Sequence, residues 1–178
     1  MKIACLGWGS LVWDTRKLPV ASDWFQDGPH LPLEFSRQSA DDRITLVIDE
    51  SADPSPALWA LIDVQSLSEA IEALSRREGA KANAIGRWPA MDTNFYPYSD
   101  KVENWALTHG IDAVVWTALP PGMRSSRGVS PSLAELIGHL RSLDSGACAK
   151  AAEYVFKAPG QIKTRYRPAL ETFFSGLA

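Results

Sequence analysis

Residues that ligate metals or form crosslinks are scarce in this chain. Its 178 residues include two cysteines, Cys5 and Cys148, and three histidines, His30, His109 and His139. None stands at a metal-ligating spacing, so no metal centre is expected. The thiols read as reduced, and a lone Lys2 followed at once by a short strand is unlike a signal peptide. A cytoplasmic location is therefore expected. No run approaches the ~20 apolar residues that a bilayer requires. The net charge of −3 gives no general attraction to nucleic acid or to an anionic membrane. Repeats and low-complexity segments are absent too. What remains is an ordinary globular composition, 46% hydrophobic and 22% charged, long enough to bury a real core. It reads as one domain over 1–178, with a core at 1–128 and a helical extension at 129–178.

The pattern of elements is mixed. Ile3-Ala4-Cys5-Leu6 is a short apolar strand, followed by an irregular connection over 15–32 that holds Pro19, Gly28, Pro29 and Pro32. Leu33–Gln38, Arg43–Asp49, Ala57–Asp63 and Asp112–Ala118 read as strands. Residues 80–100 hold Gly86, Pro89 and Pro97, which argue against long elements there. The aromatics Phe95, Tyr96 and Tyr98 in that stretch either cover the core or line a pocket, with covering favoured. Lys101–Thr108 predicts a short helix. Beyond Ser130-Pro131, read as a cap with proline at the first helical position, Leu133, Leu136, Ile137, Leu140 and Leu143 form a helical stripe. Ala147–Phe156 predicts another helix, and a last one begins near Pro168. These helices are expected to pack on the sheet.

Two features carry chemical information. The strand at Ile3 runs into Gly7-Trp8-Gly9-Ser10-Leu11-Val12-Trp13, where two glycines flank one residue. Such a bend can turn successive backbone N–H groups toward an anion, and it can equally be an ordinary tight turn. The second feature is a helix. Ser66-Leu67-Ser68-Glu69 has the form of a capping box, and Leu67, Ile71 and Leu74 form a core-facing stripe. Four residues beyond Leu74, at nearly the azimuth of Leu67, stands Glu78, and Gly79 supplies the stop. Glu69, Glu72, Arg76 and Arg77 are expected to point elsewhere. An inward acid at a helix C-terminus suits general acid–base work, since burial and the helix dipole both disfavour its charged form. The same spacing also fits a helix that frays at Arg77 and leaves Glu78 in water.

The loop at Gly7–Trp13 resembles the Y-G-S-[NL] loop of the gamma-glutamylcyclotransferase superfamily, especially its ChaC-type branch, which reads Y-G-S-L-[IM]-W. Phe35-Ser36-Arg37-Gln38-Ser39-Ala40-Asp41-Asp42-Arg43 is similar to a ChaC segment with an Arg, Phe, Ser, Asp-His-Arg series. Leu74-Ser75-Arg76-Arg77-Glu78-Gly79 looks like the helix-ending Leu-x-x-[RL]-Glu-[GM] element, whose glutamate is catalytic in that family. The resemblance covers roughly residues 2–80 and 112–118. It implies an α+β fold built on a small mixed β-barrel with flanking helices. Trp8 stands where the family has tyrosine, and an indole has one donor and no acceptor. The Gly-Thr-Pro series that follows the family's arginine is also missing.

In that family the substrate's α-amine attacks its own γ-glutamyl carbonyl, releasing 5-oxoproline and an amine. The resemblance thus implies a small-molecule γ-glutamyl substrate, with no nucleic acid, membrane, metal or nucleotide involved, and it leaves the oligomeric state open. It places Glu78 as the catalytic acid/base and the N–H groups of Trp8, Gly9, Ser10 and Leu11 on the substrate carboxylate or the developing oxyanion. Arg37 is a further substrate contact, whereas Arg43, at the start of a strand, reads as structural. The departure at Trp8 and the additional C-terminal helices favour the other reading, a non-enzymatic module that binds a small molecule or a protein.

Overall fold

The computed structural model describes residues 1–91, 93 and 96–177; Phe95, one of the aromatics of the 80–100 stretch, lies outside them. Contacts group the chain into two compact units, Met1–Leu31 with Pro56–Leu119 and Pro32–Ser55 with Pro120–Ala178.

In the first unit β1 (Ile3–Gly7) is central. It pairs antiparallel with β5 (Leu58–Leu61) and parallel with β7 (Ala113–Thr117), and β7 pairs antiparallel with β6 (Ile85–Trp88). The order is β5-β1-β7-β6. Period-2 alternation sorts the side chains. Ile3, Cys5, Ile85, Ala113 and Val115 join one core cluster with Leu67, Ala70, Ile71, Ala73 and Leu74 of α1 (Leu67–Glu78). Ser66 caps α1 by accepting the Glu69 N–H, and Gly79 ends it in the left-handed region at φ 61°. The Glu69 carboxylate reaches the N–H of Gln65, one residue short of the reciprocal bond that a capping box would make to Ser66. α2 (Ser99–Thr108) follows, with Val102, Trp105 and Ala106 buried. β6 was not expected. It is preceded by a 3-10 turn at Ala82–Ala84, and it exists because Gly86 has no side chain: a Cβ there would lie 2.2 Å from the buried Trp116 ring.

In the second unit β2 (His30–Gln38) pairs antiparallel with β3 (Ile44–Ile48), and the three-stranded order is β3-β2-β4, with β4 at Pro54–Pro56. α3 (Leu133–Arg141), α4 (Ser145–Lys157) and α5 (Arg167–Ser175) complete it. The cap of α3 is Ser132, two residues later than expected, in a full capping box with Glu135. Asp144 caps α4, and Pro168 stands in the first turn of α5. Tyr154 of α4 accepts the Leu46 N–H of β3 at 3.3 Å, which fixes a helix against the small sheet. The fold is α+β, but the implied barrel does not form among the described residues. The nine residues of β2 pair with β3 and β4, leaving two open sheets of four and three strands. No helix among the described residues is long and apolar enough to cross a membrane.

Alternation along β2 would put Glu34 outside, opposite Leu33 and Phe35, yet it is fully buried. Its carboxylate accepts the N–H of Phe35 at 2.8 Å and of Arg165 at 2.9 Å. Burial nevertheless pushes its pKa up, against those bonds and others from Thr164 and Tyr166. A carboxyl raised in this way favours folding when protonated. That stabilisation is complete below the ordinary glutamate value and is lost as pH rises through the folded one. Urea unfolding from roughly pH 4 to 8 should show stability falling with pH through this window, and Glu34→Gln should flatten that slope. In the first unit, Gly86→Ala should lower stability by about 1–3 kcal/mol, read as a fall in the urea midpoint, because Trp116 cannot retreat from the new methyl.

Candidate active site

The segment after β1 is built as a helical turn. Val12 N–H donates to Gly9 O at 3.0 Å and Asp14 N–H to Ser10 O at 2.8 Å. The amides of Gly9, Ser10 and Leu11 take no part in that closure. Neither Gly7 nor Gly9 has positive φ, so the bend is not the alternating-hand concavity that two flanking glycines suggest. Gly7 serves close packing: a Cβ on it would lie 2.7 Å from the Trp24 ring. Trp8 and Leu11 are both buried, with Leu11 in the core cluster, so their side chains are packing groups. Ser10 is half-buried and presents its hydroxyl.

Arg77 meets that hydroxyl. Its side chain is 4% exposed. Nη2 donates to Ser10 Oγ at 3.2 Å and to the Asp14 carbonyl at 2.6 Å, and Nε shares the same carbonyl at 3.2 Å. Nη1 donates to Glu78 Oε1 at 2.8 Å. One guanidinium thus holds the end of α1 against the turn after β1, with Ser10 and Glu78 on two of its nitrogens. The expectation that Arg77 points away from the core is wrong. Ala70, Ala73 and Arg77 are all buried, so the inward stripe is wider than Leu67, Ile71 and Leu74 indicated. Alanine carries little apolar signal, and the spacing 70, 73, 77 was the clue available.

Glu78 neither frays into water nor stands alone. Its side chain is 16% exposed and ion-paired. Cys5 lies beneath, fully buried; burial first and then the Glu78 charge push its thiol up, with Arg77 opposing. An un-ionised, enclosed thiol is no nucleophile.

Arg37 belongs to the other unit. Nη1 donates to Pro120 O at 2.6 Å. Burial, then the charge of Arg127, lower its pKa to about 10. Arg43 pairs with Asp41 at 2.9 Å and lies over the Tyr154 ring, in keeping with a structural role. A cavity of about 480 Å³ in the first unit is lined by Asp27, His30, Lys101, Asn104 and Trp105 and includes none of Ser10, Arg37, Arg77 and Glu78.

No family model matches the sequence, and no curated protein matches it. Among solved structures, the chain is similar to a γ-glutamyl cyclotransferase specific to glutathione from yeast. The identity is 13%, the cover is 99% of each chain and the TM-score is 0.46, an overlay too loose to carry functional weight.

Replacing Arg77 by methionine keeps the length and removes every donor. Asp14 O and Ser10 Oγ would lose their partner, and the stability loss should reach about 1–3 kcal/mol in urea unfolding. Lysine should restore only part of it, because one ammonium cannot reproduce the planar fork.

Proposed function

We propose that the chain is a γ-glutamyl cyclotransferase-type enzyme with Glu78 as its acid/base. The observation that supports this reading is the single guanidinium shared by Glu78 Oε1 and Ser10 Oγ, which puts a partly exposed carboxylate beside the turn after β1. The substrate is a γ-glutamyl peptide or amine. Glu78 takes a proton from its α-ammonium, and the freed amine attacks the γ-carbonyl carbon. The N–H groups of the turn at Trp8–Leu11 hold the resulting oxyanion. The tetrahedral carbon then expels the leaving amine as the carbonyl re-forms; Glu78 returns its proton to that amine, and the ring nitrogen gives up its second proton to water, leaving the neutral lactam. The products are 5-oxoproline and a free amine. Nucleophile and electrophile share one short chain, so most of the entropic cost of bringing them together is already met, and a site this small suffices. In this scheme Arg77 is a positioning residue that aims the carboxylate.

The alternative is a binding module that holds such a ligand without turnover. Trp8, standing where the resembled loop has tyrosine, and the additional C-terminal helices favour it.

Incubation with glutathione and a panel of γ-glutamyl dipeptides should release 5-oxoproline, followed by chromatography. Glu78→Gln should cut the rate by about 10²-fold or more. Normal turnover by that variant would remove the mechanism. Free glutamate in place of 5-oxoproline would indicate hydrolysis, and binding without any product would favour the module.

A further inference from the structure

In the second unit the end of β2 and residues 120–128 are joined through arginines. The β2–β3 register shifts between Phe35 and Arg37, and Arg37 forms an isolated parallel bridge with Gly122. The Gly122 N–H donates to Ser36 O at 2.7 Å. Gly122 has φ +115°, and a Cβ there would lie 2.3 Å from Ser126 O, so the loop is held in a conformation only glycine adopts readily. Arg37 Nη1 donates to Pro120 O, while Arg127 donates through Nη1 to Gly122 O and through Nη2 to Gln38 O. Arg124 completes the group.

The charges of this group do not balance. Arg124 pairs with Asp42 at 3.1 Å. Arg37 and Arg127 have no carboxylate within ion-pair distance among the described residues, and they are close enough that the charge of Arg127 depresses the proton affinity of Arg37. Bonding a carbonyl requires a donor, not a charge. Two adjacent guanidiniums that touch only carbonyls carry a repulsion that a purely structural role would avoid. Arg37 also keeps its Nε–Nη2 edge unbonded among the described residues, the edge that grips two oxygens of an anion side by side. Arg127 is exposed, so the pair is open to solvent.

We propose that Arg37 and Arg127 form a binding site for a phosphate dianion carried by a small molecule. Two uncompensated positive charges match a dianion better than a single carboxylate. A long polyanion fits poorly, because the chain as a whole is acidic at −3. The proposal does not depend on the role given to Glu78.

The test is an NMR titration of the ¹⁵N-labelled full chain with phenyl phosphate and with pyrophosphate, at constant ionic strength. The Nε–H signals of Arg37 and Arg127 should move and saturate together, while that of the exposed Arg141 stays fixed. Sodium acetate at the same ionic strength should move them far less. Arg37→Gln and Arg127→Gln should each weaken phosphate binding by about tenfold or more, and Arg141→Gln should leave it unchanged. The proposal is overturned if the wild-type chain shows no saturable shift, if all arginines move alike, or if acetate matches phosphate. The wild-type titration decides the matter even if either variant fails to fold.

Discussion

Burying a guanidinium costs several kcal/mol unless its charge is paired and its N–H groups find acceptors. Arg77 meets both conditions with groups drawn from two distant stretches of sequence, Ser10 and Asp14 on one side and Glu78 on the other. The requirement constrains everything around it. The register of α1 must bring residue 77 inward while Leu67, Ile71 and Leu74 still reach the sheet. The turn after β1 must present Ser10 and the Asp14 carbonyl at that height, which closure by Val12 and Asp14 achieves. Neighbouring side chains on a helix diverge by about 100°, and Arg77 bends across that angle to meet Glu78 at the last residue of α1. Gly79, in the left-handed region, ends it there.

Helix α1 was legible from end to end, because every signal that bounds it is local: the Ser66 cap, the stripe and the Gly79 stop. The pairing of acid and turn was legible only through resemblance. The group that joins them was not legible at all, since a charged residue beside two alanines reads as surface until the opposing loop is known. β6 was missed for a similar reason. Gly86 and Pro89 look like punctuation, but Gly86 is a strand residue shaped by Trp116, about thirty positions away.

The second unit gives the same lesson with the opposite sign. The strand at β2 was legible, but the burial of Glu34 was not, because it depends on residues 164–166, remote in sequence, which bond its carboxylate. The cap of α3 moved from Ser130 to Ser132 once Glu135 could bond back to it. The implied barrel failed for want of strand pairing that no single segment encodes. Local chemistry fixes where an element begins and ends; which face is buried depends on partners far along the chain.

That distinction also separates Glu34 from Glu78. Glu34 is held by backbone N–H groups and is wholly enclosed, so no substrate proton can reach it, whatever its proton affinity. Glu78 is held by the buried guanidinium of Arg77 and keeps part of its side chain at the surface. A general acid/base must touch the atom it serves before its proton affinity matters. Of these two carboxylates Glu78 alone keeps part of its side chain open to solvent, which is why the proposed mechanism uses it and not Glu34. Under the proposed mechanism the ion pair with Arg77 belongs to the site, since a carboxylate free to swing into water would lose the orientation on which proton transfer depends.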